Sequence, residues 1–526
     1  MRQLFRRKPI HEVEPESEGH GLTRALGGWD LVFLAIGAVI GAGIFGAIGS
    51  AAAGEYDAEG HLVRTGAGPA LVVSFILLGV VCGLAALCYA ELAAMIPKAG
   101  SAYAYSYATL GELTAWIIGW DLILEYAVGN VAVAISWSGY LDSLLTGWGI
   151  HLPTWLTHGY YDVLAAAGTE PAAQAMLDEA PRLFGVPVLL NLPAFLIVAV
   201  ITALLVVGVR ESARANNVMV VLKLVVIAVF LIAGATHVNP DNWTPFAPNG
   251  WTGIHQGAAI VFFAYIGFDA ISTAAEETKN PQRNMPFGIL VGLAICTVVY
   301  VLVGLVTTGL VPWSELHVSD PLAFALQRAG LPVVSWLVAS GAIISMTAVL
   351  LVFQYGQPRI LYAMARDGLL PKSAASIHPR FKTPWLMTIM TGVLVGLGAL
   401  VADDGATYDL TNIGTLFAFM LVCIGVLVLR VQAPDVPRPF KVPFVWGVAP
   451  LGAIACVWTM AGLPPIAWER FAIWMVLGLA VYFMYGYRHS ALRAADAKAA
   501  AEKAAGEKSA AEKTADEKKS TPPGDS

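Results

Sequence analysis

One basic residue lies in the middle of an otherwise apolar segment. Lys223 is flanked by Val220-Val221-Leu222 and Leu224-Val225-Val226. It lies roughly nine residues from the start of the segment near Arg214, or about 14 Å at a helical rise of ~1.5 Å per residue. At that depth the ammonium group does not easily extend to the membrane surface, which is the alternative placement for a lysine. A lysine held away from water can gain and lose a proton, so Lys223 is a candidate proton-coupling residue.

Carboxylates occur in two other apolar segments. Asp121 and Glu125 are four residues apart, which places them on one face of a helix, and Asp269 lies inside a later segment. An ionised side chain inside a membrane costs about 2.5–3.5 kcal/mol, so such residues usually face a cavity or a partner. Glu125 is a second candidate for proton coupling, as a relay or a counter-charge, and Asp269 is a candidate for ligand contact. Hydrogen bonds that hold helices or unwound backbone together are the alternative for both.

Two hydrophobic segments are interrupted by small or turn-forming residues. The first reads Gly37-Ala38-Val39-Ile40-Gly41-Ala42-Gly43-Ile44-Phe45-Gly46. Glycine weakens a helix and lets other backbone approach closely. Unwinding here would free N–H groups that suit a carboxylate, and carbonyl groups that can accept from an ammonium group. The candidate ligand-binding residues are Val39, Ile40, Gly41, Ala42 and Gly43. A glycine face for tight helix packing is the alternative.

The second interruption, Phe262-Phe263-Ala264-Tyr265-Ile266-Gly267-Phe268-Asp269, lies about 225 positions later. Carbonyl groups near Phe263 and Ile266 would add acceptors for the same ammonium group, and Phe263 or Phe268 could close over the ligand. Met346 could shape a pocket for the ligand's side chain, although methionine is more often a packing residue. Two broken segments, each the first in its half of the chain, are typical of a transporter with a binding site near the membrane midplane.

The composition places these segments in a membrane. Of the 526 residues, 57% are hydrophobic and 13% are charged, and the mean hydropathy is +0.67. Soluble domains carry about 25% charged residues. Twelve apolar runs are long enough to cross a bilayer, namely 27–53, 69–96, 109–138, 186–209, 214–237, 251–276, 286–311, 333–356, 383–401, 408–431, 445–463 and 468–487. The predicted fold class is an all-α integral membrane protein with 12 transmembrane helices.

Basic residues are distributed unevenly among the segments that connect these runs. If the N-terminus is cytoplasmic, the cytoplasmic segments hold 26 of the 31 Lys and Arg residues. The outer loops then hold only Arg64, Arg182, Arg328 and Arg470. Because positive residues accumulate on the cytoplasmic side, both termini are predicted to be cytoplasmic. The polar start of the chain does not look like a cleavable signal peptide.

The chain divides into two halves of similar design and two further helices. Residues 27–237 hold helices 1–5, residues 251–431 hold helices 6–10, and residues 445–487 hold helices 11 and 12. Five spans is an odd number, so two such repeats have opposite orientations in the membrane. A cytoplasmic segment, 1–26, precedes them, and a low-complexity cytoplasmic tail rich in Ala, Glu and Lys, 488–526, follows.

Sequence signals for other functional classes are missing. There is no HExxH or Walker-type motif and no GxSxG with plausible partners, so an enzyme is not expected and no catalytic residue is assigned. The five cysteines lie in apolar runs without metal-ligand spacing, so neither a metal nor a cofactor is expected. No basic, aromatic-rich region indicates nucleic-acid binding. The expected partners are a small molecule, protons and the lipid bilayer; the oligomeric state is not predicted.

Several longer motifs resemble a known family. They are 37–45, 89–92, 97–103, 119–126, 263–271, 275–277, 280–283, 355–359 and 366–371. Extending from about residue 24 to residue 440, they resemble the amino acid–polyamine–organocation superfamily and, within it, the bacterial cationic amino acid transporter-type permeases. The resemblance implies a LeuT-type fold of two inverted five-helix repeats with discontinuous helices 1 and 6, plus two additional helices. It also implies transport by alternating access.

The resemblance also implies roles for individual residues. The residues that would recognise an amino acid are Val39, Ile40, Gly41, Ala42, Gly43, Phe263, Ile266 and Asp269, with Met346 lining the pocket. Lys223 matches the family's lysine at a vacated sodium site, which implies proton coupling, and Glu125 matches the carboxylate of helix 3. Ala42 stands where a hydroxyl residue is common, and the polar insert 54–68 lies outside the family pattern.

We therefore predict a proton-coupled amino acid symporter of the bacterial inner (plasma) membrane. An amino acid exchanger without net proton flux is one alternative. A non-transporting amino acid sensor, with the C-terminal tail as its output, is another.

Overall fold

The computed structural model describes residues 6–8, 26–56, 62–96, 101–167, 171–208, 213–381 and 383–495. Its α-helices, in chain order, are α1 (Gly28–Val39), α2 (Ala42–Phe45), α3 (Ala47–Ala53), α4 (Leu71–Met95), α5 (Ser101–Thr109), α6 (Glu112–Ile123), α7 (Gly129–Gly147), α8 (Tyr160–Ala166), α9 (Pro171–Glu179), α10 (Leu192–Val207), α11 (Ala213–Ala235), α12 (Gly250–Val261), α13 (Pro281–Leu310), α14 (Pro321–Arg328), α15 (Pro332–Arg366), α16 (Trp385–Val401), α17 (Asp404–Gln432), α18 (Val445–Met460), α19 (Pro465–Val481) and α20 (Tyr487–His489). Most of the two predicted cytoplasmic ends, 1–26 and 488–526, lies outside the described residues.

Eight helical segments in this part of the chain are long and apolar enough to cross a membrane. They are Gly68–Met95, Glu112–Gly147, Asn217–Ala235, Gly250–Ser272, Pro281–Leu310, Pro332–Arg366, Asp404–Gln432 and Pro465–Ala495. Four shorter apolar helices, α1, α10, α16 and α18, accompany them. The prediction of a helical, multi-pass membrane protein is therefore confirmed. Glu112–Gly147 and Pro332–Arg366 extend beyond their predicted runs, 109–138 and 333–356, because their ends carry polar residues that hydropathy leaves out.

Both segments that were expected to be interrupted are broken in the structure. After α1, Ile40 is extended and Gly41 is nearly fully extended, with φ −157° and ψ −141°, before the helix resumes as α2 and α3. After α12 the chain forms a 3₁₀ turn, Phe262–Tyr265, and an extended residue, Ile266. It then continues as a 3₁₀ helix, Asp269–Glu277. These breaks leave backbone groups without helical partners at two places in the chain.

The broken segments lie at the centre of the bundle. α13 contacts α1 and α4, α15 contacts α7 and α11, and α1 also contacts α11. Glycine makes the closest of these contacts possible, because a Cβ at Gly288 or Gly292 of α13 would lie within 2.5 Å of Leu31 or Ala35 of α1. One continuous hydrophobic core includes residues of both interruptions, so the breaks are shielded from lipid.

Two short antiparallel hairpins depart from the all-helical expectation among the described residues. β1 (Gly54–Tyr56) pairs with β2 (Leu62–Thr65), and β3 (Arg182–Leu183) pairs with β4 (Val186–Pro187). The first hairpin belongs to the polar insert 54–68, and its register places Glu55 opposite Arg64. Because these strands are only two to four residues long, hydropathy patterns do not detect them.

Charge distinguishes the two ends of the bundle. The end at which α1 begins, called here the basic face, carries Lys8, Arg283, Arg366, Arg430, Arg438 and Lys441. At this face Arg430 and Arg438 bind Glu91, and Lys8 binds Asp367. The opposite end, called here the acidic face, carries a cluster of carboxylates around one cavity: Glu55, Asp162, Asp403, Asp404 and Asp409.

Candidate functional site

The two interruptions cross at the centre of the bundle. A Cβ added at Gly43 would lie 2.2 Å from Ala264 Cα, so only glycine fits without a backbone shift. Gly267 has φ of +110°, which residues with side chains rarely adopt, and a Cβ there would lie 3.0 Å from the Ala38 carbonyl oxygen. The glycines therefore allow the two chain segments to touch, backbone against backbone.

A tyrosine joins the two interruptions. Tyr300 of α13 directs its hydroxyl group at the Val39 carbonyl oxygen, at 2.9 Å, and at the Ala264 carbonyl oxygen, at 2.7 Å. Both acceptors lie where helical hydrogen bonding has ended, so the shared O–H compensates for missing backbone donors. Tyr300 thus fixes the position of one interruption relative to the other.

Lys223 connects α11 to the first interruption. Its Nζ donates to the Gly37 carbonyl oxygen at 2.9 Å and to the Ile40 carbonyl oxygen at 3.0 Å, and the residue is 1% exposed. Ser345 Oγ donates to the same Ile40 oxygen at 3.0 Å. In an unbroken helix these carbonyls would accept from backbone N–H groups four residues later. The ammonium group therefore replaces donors lost at the break, and it does not extend to the membrane surface.

These contacts alter the balance of donors and acceptors at the first interruption. The sequence suggests that the carbonyls of Val39 and Ile40 could bind an ammonium group, but both already accept from protein side chains. The first N–H groups of α2, those of Ala42 and Gly43, have no acceptor within their own short helix. The interruption therefore has more capacity to bind an anionic group than a cationic one.

Aromatic rings cover the crossing on the side of the acidic face. The Phe263 ring packs edge-on against Tyr408, with centroids 4.7 Å apart, and the Tyr408 hydroxyl hydrogen-bonds with Ser136 Oγ at 2.7 Å. Tyr408 lies in the second turn of α17, which begins at the acidic face. Phe268 packs elsewhere, against Phe419. Of the two phenylalanines considered as covers, Phe263 is the one that lies on this side.

Buried carboxylates lie beside the second interruption. Glu125 occupies a π-helical turn, Leu124–Val128, a conformation often found at functional sites. The carboxylate oxygens of Asp121 have no hydrogen-bond partner among the described residues, whereas the Glu125 carboxylate lies beside Asp269. Asp269 is fully buried at the start of its 3₁₀ helix and is the strongest charged neighbour of Glu125. Burying several ionised carboxylates together is unfavourable, so this cluster is suited to holding protons.

Met346 lies on the helix that packs against the first interruption. It is fully buried on α15, adjacent to Ser345, which donates to Ile40. Val349, three residues further along the same helix, would lie 2.7 Å from a Cβ at Gly41. Residues three and four apart are neighbours on a helix surface, so Met346 lies close to the extended backbone of the break.

Sequence reasoning missed the hydroxyl groups that organise the crossing. They belong to Tyr300, Ser345 and Tyr408. A buried tyrosine or serine in an apolar segment requires an acceptor, which is a usable signal. The acceptors lie on other helices, however, and a single sequence does not identify them.

A cavity of about 630 Å³ opens on the acidic face. Thr407 and Asp409, which flank Tyr408, line it, so the cavity leads toward the aromatic cover of the crossing. Burial raises the pKa of the Asp403 carboxyl despite the hydrogen bond that the Ala406 N–H donates to it. Carboxylate oxygens of Asp162, Asp403 and Asp404 lie within 4.8 Å of one another, which is close enough to hold a metal ion. The expectation from sequence that the protein binds no metal therefore stays a prediction.

An arginine joins the first hairpin to α17 at this cavity. Arg64, which is 1% exposed, binds Glu55 of the facing strand and donates from Nη1 to Asp409 Oδ1 at 2.6 Å. Its burial makes both carboxylates depend on it for charge compensation. The polar insert therefore holds the acidic-face end of α17 in place.

Replacing this arginine is expected to destabilise the protein strongly. In Arg64→Met, the buried carboxylate of Asp409 and the partly buried carboxylate of Glu55 lose their counter-charge, and breaking such a pair typically costs about 3–5 kcal/mol. The change is measured as a fall in melting temperature of the detergent-solubilised protein. Arg328→Met is the matched control, because the pair of Arg328 with Glu315 is exposed and contributes about 1 kcal/mol or less. Equal shifts in the two variants would show that Arg64 holds nothing in place.

Comparisons with known proteins match most of the chain. A family model described as amino acid permease matches residues 26–482. The methylthioribose transporter of Bacillus subtilis (strain 168) is 46% identical over 492 residues, covering 94% of this chain and 100% of the relative. The branched-chain amino acid permease BcaP of the same organism is 44% identical over 492 residues, covering 93% of this chain and 99% of the relative. The vacuolar cationic amino acid transporter 2 of Arabidopsis thaliana is 36% identical over 441 residues, covering 83% of this chain and 64% of the relative.

Proposed function

Because this chain belongs to the amino acid permease family, a family of transporters and not of enzymes, we propose that it carries amino acids into the cell together with protons. Transport proceeds by alternating access, in which the crossing of the two interruptions opens to one face of the membrane at a time. The protein is a secondary active transporter, driven by the proton gradient. It resides in the bacterial inner (plasma) membrane.

The proposed architecture has 12 transmembrane helices in two inverted repeats of five, 27–237 and 251–431, followed by two helices in 445–487. The eight long and four shorter apolar helices support this number. The broken first helix of each half supports the repeat, since the two breaks occupy corresponding positions. The accumulation of Lys and Arg supports a cytoplasmic basic face, with both termini on that side.

The proposed substrate site uses both interruptions. The N–H groups of Gly41, Ala42 and Gly43 bind the substrate carboxylate, as expected for backbone donors at the start of a helical segment. The carbonyls of Phe263 and Ile266, with the carboxylate of Asp269, bind the ammonium group. The carbonyls of Val39 and Ile40 contribute less, because side chains already donate to them. Met346 and the Phe263 ring contact the substrate side chain.

One observation supports proton coupling above the others: the two hydrogen bonds from Lys223 to Gly37 and Ile40. A charged ammonium group binds carbonyl oxygens more strongly than a neutral amine does. Loss of a proton from Lys223 therefore weakens the contacts that hold the unwound segment in this arrangement. Proton binding and the shape of the substrate site become linked, and a ligand that prefers one shape shifts the equilibrium between them.

Glu125 supplies the proposed partner in this coupling. Its carboxylate and that of Asp269 lie next to each other in the core, so holding a shared proton is favoured over two negative charges. Asp269 directly follows the second interruption, and an ammonium group bound there would replace the proton as the compensating charge. Substrate and proton occupancy of this cluster are thereby connected.

Uptake into sodium-free proteoliposomes tests the proposal. Labelled amino acids, with branched-chain substrates first because of the similarity to BcaP, are supplied with and without an inward proton gradient. Symport predicts concentrative uptake that requires the gradient. Uptake that ignores the gradient but requires internal amino acid would identify an exchanger, and binding without uptake would identify a sensor.

Methylthioribose belongs in the same substrate panel because the 46% identical relative carries that name. This sugar has neither a carboxylate nor an ammonium group, so it cannot use the charged contacts proposed for the crossing. Uptake of methylthioribose without any uptake of amino acids would contradict the assigned substrate class while leaving transport itself intact.

A further inference from the structure

A groove runs along the first turns of α13 at the basic face. Its volume is about 410 Å³, and its wall on α13 consists of Gln282, Arg283, Pro286, Phe287, Leu290 and Val291. These residues recur in adjacent pairs at intervals of four, which aligns them in one stripe along the helix. Pro439 and Phe440, in the connection between α17 and α18, form the opposite wall.

The groove is polar at one end and apolar at the other. Gln282 and Arg283, in the first turn of α13, are exposed at the basic face. The stripe then continues to Val291, eight residues or about 12 Å further along the helix. The apolar part of the stripe, from Pro286 to Val291, accounts for about 7.5 Å of this length. The hydrocarbon region of one leaflet is about 15 Å thick, so the apolar part spans about half of a leaflet.

Exposed aromatic rings mark the level of the lipid headgroups beside the groove. Trp29, which is 63% exposed, contacts Phe287 edge-on with ring centroids 5.5 Å apart. Phe444 and Trp446, at the start of α18, are also exposed. Tryptophan, like tyrosine, favours the boundary between hydrocarbon and headgroups because its ring is amphipathic. Arg283 lies one turn before Phe287 and therefore at the height of the headgroup phosphates.

The charge at the polar end favours an anionic group. The Arg283 guanidinium has no hydrogen-bond or ion-pair partner among the described residues, so its donors are available. Two further cations are exposed nearby. Lys279 lies four residues before Arg283 in the sequence, and Lys441 directly follows Phe440 of the opposite wall. An arginine binds phosphate oxygens through paired N–H donors.

We propose that this groove binds an anionic phospholipid from the leaflet at the basic face. The headgroup phosphate binds Arg283, and one acyl chain lies along Phe287, Leu290 and Val291. The Pro439–Phe440 wall confines the chain to the groove. The site is separate from the crossing of the two interruptions, and its existence does not depend on the transported substrate.

Native mass spectrometry of the full-length, detergent-solubilised protein tests this site. Phosphatidylglycerol and phosphatidylcholine with identical acyl chains are titrated separately, and we expect the first phosphatidylglycerol to bind more tightly. Arg283→Gln should weaken that binding about fivefold, as expected for one basic residue near a membrane surface. Leu290→Trp, which fills the apolar part of the groove, should weaken it by a similar factor.

Two variants serve as matched controls. Arg380→Gln removes an exposed arginine away from the groove, and Val298→Trp adds the same bulk on an exposed position of α13. Neither should change phosphatidylglycerol binding. Equal affinity of the wild type for both lipids would overturn the proposal, since the groove would then not distinguish an anionic headgroup from a zwitterionic one. The same loss in Arg283→Gln as in Arg380→Gln would overturn it as well.

Discussion

Replacing Gly43 with alanine is expected to reduce substrate uptake about a hundredfold. A Cβ at this position would lie 2.2 Å from Ala264 Cα and 2.5 Å from Ala264 N, and backbone atoms cannot move aside as a flexible side chain can. Overpacking of this kind costs up to about 3 kcal/mol, which corresponds to roughly a hundredfold change in an equilibrium constant. The loss is measured as initial uptake of the identified substrate per mole of reconstituted protein.

A glycine in an open environment provides the control. Gly83, inside α4, would meet no atom within 4 Å if it carried a Cβ, so Gly83→Ala should transport at the wild-type rate. Elution of both variants as single peaks in size-exclusion chromatography shows that each is folded. Wild-type uptake by a folded Gly43→Ala would mean that the contact between the two interruptions is not needed for transport.

Replacing Lys223 with methionine is expected to abolish proton-driven accumulation. The change removes two hydrogen bonds from a charged donor, each of which contributes about 1.5–3 kcal/mol, and it leaves the Gly37 carbonyl without a side-chain donor. The decisive quantity is the ratio of uptake with a proton gradient to uptake without one. We expect a ratio well above one for the wild type and close to one for Lys223→Met, with total uptake at least about tenfold lower.

Two further variants separate coupling from structure. Ser345→Ala removes the other side-chain donor to Ile40, so uptake should fall while the gradient ratio stays at the wild-type value. Lys372→Met, at an exposed position, should change neither quantity. A wild-type gradient ratio in Lys223→Met would assign this lysine a purely structural role.

The sequence predicted where the helices break because small or turn-forming residues, above all glycine, interrupt two apolar runs. Gly41, Gly43 and Gly267 mark the positions at which the backbone becomes extended or adopts a positive φ. Lys223 could also be singled out from sequence, since a lone cation in an apolar segment needs acceptors. The depth of Lys223 in its apolar segment argued against a position of its ammonium group at the membrane surface. In the structure its Nζ donates to two carbonyl oxygens of the first interruption.

The partners of these residues could not be predicted, because they are distant in sequence. Arg64 and Asp409 are 345 positions apart, and Tyr300 contacts backbone 261 positions earlier at Val39. Hydropathy patterns report which residues are buried and carry no information on which helix faces which. The first hairpin escaped prediction for a related reason, since its short strands are held by Glu55–Arg64 pairing and not by an apolar pattern.

The most direct test of proton coupling is proton movement itself. Wild-type protein is reconstituted with a pH-sensitive dye inside the vesicles, with no imposed pH gradient and with the membrane potential clamped. If substrate and proton move together, adding the identified amino acid outside acidifies the vesicle interior, and Lys223→Met shows no such signal. Entry of labelled amino acid at the wild-type rate with constant internal pH would contradict symport.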